Sequence, residues 1–125
     1  MLGKFGYAAV ALLVSAMPAW AQGTCGSAPF APAAIDGSKA NEQQMKDAHD
    51  DVMNFMKASD DFQSCLLADL TRQKDEAAKA KTPKPLDPSV EAGVNKSVDD
   101  NQRMKEKVGA EFNAAVAGYK AAHPK

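Results

Sequence analysis

"NEQQMKDAHDDVMNFMKASDDFQSCLLADL", residues 41–70, decides the fold. Its apolar positions recur as Met45, Ala48, Val52, Phe55, Met56, Ser59, Phe62, Leu66 and Leu70. The steps alternate mostly between three and four, which places these side chains along one face of an α-helix. Asn41 stands where a helix cap belongs, and Gln44 follows three residues later. That spacing predicts a capping box, with Ala40 and Met45 as the apolar staple across the first turn. On the opposite face, Lys46 with Asp50, Lys57 with Asp61 and Asp75 with Lys79 offer i,i+4 ion pairs.

Working outward, the stripe fades after Leu70, and polar "TRQKDEAAKAK" predicts a fraying helix end near residue 79. "TPKPLDP", residues 82–88, breaks the chain with three prolines. Asp87 offers an N-cap, and Pro88 suits the first helical position because the N–H it lacks has no intrahelical partner there. A second stripe follows through Val90, Val94, Val98, Asn101, Met104, Val108, Phe112, Ala115 or Val116, and Tyr119, ending at His123 and Pro124. No segment after residue 21 alternates as a strand does. The expected fold is all-α: a long antiparallel two-helix hairpin over 41–125, with helices about 41–79 and 88–121. At 1.5 Å per residue the two helices would run about 58 and 50 Å. Such a pair forms one seam and cannot surround a core, so an arm, a partner chain, or both must cover it.

Two segments precede the hairpin. Residues 1–21, "MLGKFGYAAVALLVSAMPAWA", have the layout of a secretory signal: Lys4, an apolar run from Tyr7 to Met17, and Ala19-Trp20-Ala21 as a small-x-small cleavage site. The run is shorter than the roughly 20 residues of a spanning helix. Gln22, Gly23 and Thr24 lack the pattern that precedes a lipid-modified cysteine. An exported, periplasmic protein with no stable membrane anchor after cleavage is expected. Residues 22–40, "QGTCGSAPFAPAAIDGSKA", read as an extended, proline-containing arm. The whole chain carries 15 basic and 16 acidic side chains. Loss of Lys4 with the signal moves the net charge from −1 to −2. That balance provides no basic footprint for nucleic acid.

Cys25 and Cys65 are the only cysteines. An even pair in an exported protein predicts a structural disulfide. The reach can be tested. Cys65 lies 24 residues up the helix from Asn41, about 36 Å, while the 16 steps from Cys25 to Asn41 span about 50 Å in polyproline-like form. The bond closes only if the arm stays extended and runs back along the first helix. It would then lay Pro29, Phe30, Pro32 and Ile35 in the groove between the helices.

Other constellations carry less chemistry. Met45, His49 and Met53 recur at i, i+4 and i+8, a spacing and donor set that suits a soft metal such as Cu(I). Their plainer reading is one core residue flanked by two solvent-edge residues. Asp50-Asp51, Asp60-Asp61 and Asp99-Asp100 are sequence neighbours about 100° apart on a helix, unsuited to facing acid–base pairs. His49 has no nucleophile at helical spacing, and there is no phosphate loop or metal-hydrolase motif. A cofactor-free protein that is not an enzyme is expected. "LTRQK", residues 70–74, resembles the Leu-Thr-x-x-Gln motif of small helical periplasmic stress chaperones, but Lys74 stands where the Gln belongs. Asn101 on the second stripe would fix pairing register or hydrogen-bond the arm.

Cys25, Pro29, Pro32, Asp36-Gly37, Met45 and Phe62-x-x-Cys65-Leu66, with Phe112, Asn113, Tyr119 and Lys120 later, form a wider pattern. It resembles a family of small exported proteins common in alphaproteobacteria. The resemblance implies a shared fold and the disulfide, and transfers no catalytic residues. Three functional expectations remain open: action on a protein partner or on itself, binding of copper or a small apolar ligand between arm and hairpin, and a chaperone role.

Overall fold

The computed structural model describes residues 24–125; the export signal expected over 1–21 lies outside them. Two helices make up the fold, α1 over Glu42–Lys79 and α2 over Pro88–Ala122. They run antiparallel: His49 meets Phe112, Ser59 meets Asn101 and Lys74 meets Glu91, so α2 numbers fall as α1 numbers rise.

Local chemistry sets the helix ends. Asn41 Oδ1 accepts from Gln44 N at 2.8 Å, and Gln44 Oε1 accepts from Asn41 N at 2.9 Å, completing the capping box. Ala40 and Met45 are both buried and meet in one cluster with Ala115, so the apolar staple is part of the core. Asp87 Oδ1 accepts from Ser89 N at 2.9 Å, with Pro88 in the first turn. At the far end of α2, His123 stacks on Tyr119 with centroids 4.2 Å apart.

The polar end of α1 stays helical to Lys79, although the apolar stripe fades after Leu70. Its side chains explain why. Arg72 bonds both Asp69 and Glu76, and Lys74 Nζ reaches Glu91 Oε1 on α2 at 2.8 Å. Of the three ion pairs expected on the outer face, Lys57–Asp61 forms at 2.7 Å. Lys46 turns back to Glu42 at 2.6 Å instead of forward to Asp50. An acid one turn before a lysine also neutralises the helix N-terminus, which favours that choice. Among the described residues, Asp75 and Lys79 form no ion pair.

The seam is apolar at its ends and polar in its middle. Ser59 is fully buried and Asn101 is 4 % exposed. Asn101 Nδ2 donates to Ser59 Oγ at 3.2 Å, and Gln63 Nε2 donates to Asn101 Oδ1 at 2.8 Å. Asn101 therefore bonds α1 through both ends of its amide. A slip of one turn would strand these groups in the seam, so the network fixes register. Asn101→Leu is expected to destabilise the fold by about 1–2 kcal/mol, and adding Ser59→Ala should restore most of it. Thermal unfolding of the single and double variants checks this; a neutral single variant would remove the network from the account.

The arm is held at both ends. Cys25 and Cys65 are disulfide-bonded, with Cα atoms 5.7 Å apart. At the other end, Asp36 Oδ1 accepts from Ser38 N and Ser38 Oγ, and Lys39 N donates to Asp36 O at 3.1 Å, closing a tight turn. The Ser38 hydroxyl bond, its backbone bond and nearby Lys39 hold the Asp36 carboxyl below its usual range. This turn presses Gly37 onto α2. A Cβ built on Gly37 would lie 1.7 Å from the Ala115 carbonyl oxygen, and one on Gly118 would lie 3.3 Å from Ser38 N. Small residues on both sides permit the contact.

Candidate interaction surface

The arm covers one edge of the seam and leaves the other open. Along the covered edge, Pro29, Pro32 and Ile35 are half-buried, with buried Phe62, Val108 and Gly37 on the same side. Phe30 departs from expectation. It points out of the groove and is 96 % exposed, the most exposed large apolar side chain described. An extended arm cannot turn every residue inward, and with Pro29 and Pro32 directed inward Phe30 between them faces out. Met104, expected on the α2 stripe, is a second correction at 39 % exposure. The α2 contact follows Asn101, Val108 and Ala115 at steps of seven, and Met104 falls to the rim beside the arm.

Between the returning arm and the two helices lies a pocket of about 330 Å³. Ile35, Ala48, Val52, Val108 and Phe112 supply its apolar wall. Asp47 and Asp51 from α1 and Glu111 from α2 also line it. Asp47 Oδ1 accepts from Gln43 at 2.8 Å, and Lys107 stands 3.7 Å from Glu111.

The open edge carries a shallower groove of about 520 Å³ beside Met45, His49, Phe112, Val116 and Tyr119. Lys46 and Glu42 sit at its rim, and their hydrogen bond holds the Glu42 carboxyl low and the Lys46 ammonium high. Farther along the hairpin, Lys105–Asp60 and Lys74–Glu91 join the helices.

The Met45–His49–Met53 stripe divides among three environments. Met45 is buried against Ala40 and Ala115. His49 is exposed, 5.9 Å from the Phe112 ring, with Nδ1 3.3 Å from Asp50 Oδ1. Met53 is 54 % exposed and does not line the groove that Met45 and His49 share. Cys25 and Cys65 are brought together as the predicted crosslink.

Sequence reading missed the acid-lined pocket. Asp47 and Asp51 are one turn apart on α1, a visible signal, but Glu111 joins them only through the hairpin register, and the arm supplies the remaining wall. The exposure of Phe30 had no signal beyond its place between two prolines. Compared with known proteins, the chain matches no family model, no curated protein and no solved structure.

Proposed function

We propose that this is an exported, non-enzymatic protein of the periplasm that acts by gripping a protein partner, with Phe30 as the anchor. The carrying observation is the 96 % exposure of Phe30 on an arm tied at Cys25 and wedged at Gly37. Burying a phenylalanine contributes about 1.5–3 kcal/mol, and this fold leaves that contribution unused. Pro29 and Pro32 stiffen the segment, so docking it costs little conformational entropy. A rigid aromatic presented this way has the character of an interface hot spot.

The partner supplies an apolar pocket for one aromatic ring. A second copy of the chain is the alternative occupant, favoured by Met53 and Leu67, which are 54 % and 47 % exposed. Copper held by Met45, His49 and Met53 has less support, since only two of those residues share a groove.

Photocrosslinking in cells tests the proposal. A benzophenone side chain at position 30 is expected to yield one discrete adduct in the periplasmic fraction, absent when the probe replaces exposed Ala92 on α2. The captured protein, once purified, should bind the wild-type chain and lose affinity about tenfold, roughly 1.4 kcal/mol, on Phe30→Ser. An adduct of twice the chain mass would point to self-association. Equal crosslinking from positions 30 and 92, or binding indifferent to Phe30→Ser, would sink the idea.

A further inference from the structure

We infer that the pocket between the arm and the hairpin is a binding site for a small amphiphilic organic cation, an ammonium head on an apolar body. The inference stands apart from Phe30, which does not line this pocket.

Three properties of the pocket converge on that chemistry. The first is shape. At about 330 Å³ it falls within the range of small-ligand sites, and three separate elements wall it. The disulfide at Cys25–Cys65 and the Gly37 wedge hold the arm wall from both sides of the pocket, so the concavity exists before a ligand arrives. The second is its apolar wall, in which Ile35, Val52, Val108 and Phe112 offer hydrocarbon surface to a ligand body.

The third is charge. Asp47, Asp51 and Glu111 line the same concavity, and no lysine, arginine or histidine does. Asp47 and Asp51 form no ion pair among the described residues; Glu111 is ion-paired at 3.7 Å with Lys107, which does not line the pocket, so two of the three carboxylates stand without a cationic partner. Three carboxylates beside an apolar wall attract a cation and oppose an anion of the same hydrocarbon length. The groove on the open edge makes the contrast. There Lys46 and Lys120 accompany Glu42 and Asp50, so its charges balance and select neither sign.

A small ligand fits better than a basic peptide because the arm closes one side, leaving a short concavity instead of a channel along the hairpin. The organic body would fill the space between Ile35 and Val108, with its head at the carboxylates. Binding would also brace the arm against α1 and α2, making the site a lock on the arm's position.

The test is a nuclear magnetic resonance titration of the oxidised chain with octyltrimethylammonium, octyl sulfate and octyl glucoside, all below their micelle concentrations. The cation is expected to shift amides of Ile35–Gly37, Asp47–Val52 and Val108–Phe112, and to bind at least about tenfold more tightly than the sulfate. Asp47→Asn/Asp51→Asn/Glu111→Gln keeps the shape, removes the charge and should abolish that preference. Ala48→Leu should narrow the pocket and weaken the cation while circular dichroism and the disulfide stay unchanged. Equal affinity for cation and glucoside would reduce the site to an apolar patch and overturn the inference, as would shifts confined to other residues. A Lys-Leu-rich peptide binding tenfold tighter than octyltrimethylammonium would overturn it too, by assigning the pocket to a different occupant.

Discussion

Replacing both Cys25 and Cys65 by alanine is expected to lower stability by about 4 kcal/mol. The bond spans a sequence separation of 40, and closing a loop of that size removes roughly this much free energy from the unfolded chain in the chain-entropy model. Against a domain total of about 5–10 kcal/mol, the loss takes a large share. The arm is more affected than the hairpin. Without the bond, residues 25–35 lose their one covalent tie to α1 and should become the first site of limited proteolysis, while α1 and α2 retain their helical signal. Chemical denaturation of the oxidised and double-alanine chains measures the first effect, and timed digestion the second. A loss below about 1 kcal/mol would show that noncovalent contacts hold the arm by themselves.

Gly37→Ala carries the next largest effect, and its cause is contact with backbone instead of backbone conformation. The new Cβ would meet Ala115 O at 1.7 Å, Ala115 C at 2.5 Å and Ala115 Cα at 3.0 Å. These are helix backbone atoms that cannot rotate aside, so the arm's turn must lift from α2. That separation also opens the cluster of Ala40, Met45 and Ala115. Overpacking of this kind costs about 1–3 kcal/mol, which for a domain near this size lowers the melting temperature by roughly 5–20 °C. Gly93→Ala is the matched control. It lies inside α2, where a Cβ meets nothing within 4 Å, so it should stabilise by about 0.5–1 kcal/mol through helix propensity. If the two substitutions moved stability in the same direction, the close approach at Gly37 would not be the governing contact.

The helices were legible because their determinants are local. The 41–70 stripe, Asn41 with Gln44, and Asp87 with Pro88 each act within a few residues, and each reappears in the structure as read. The disulfide was legible for a different reason: two cysteines in a chain read as exported leave one pairing, and chain length permits it. Legibility stopped at orientation. Phe30 was expected in the groove, yet an extended arm between two inward prolines turns it outward. Met104 kept the three–four spacing and still lost its place, because the seam follows Asn101, Val108 and Ala115 at steps of seven. The first lysine of α1 chose Glu42 over Asp50, two partners that spacing alone ranks equally.

What the sequence determined by itself is the set of elements: two capped helices, a proline break between them, and an arm long enough to return to Cys65. These follow from backbone hydrogen bonding, capping and steric rules that operate over one or two turns. The tertiary structure alone decided which side of each element faces which. The register locked by Ser59, Gln63 and Asn101 brings Glu111 toward Asp47 and Asp51 across more than fifty residues. The Gly37–Ala115 contact then sets the arm over them as a wall. The pocket and the outward phenylalanine come from distances between segments, and those depend on how faces pack, a property no local run of residues contains.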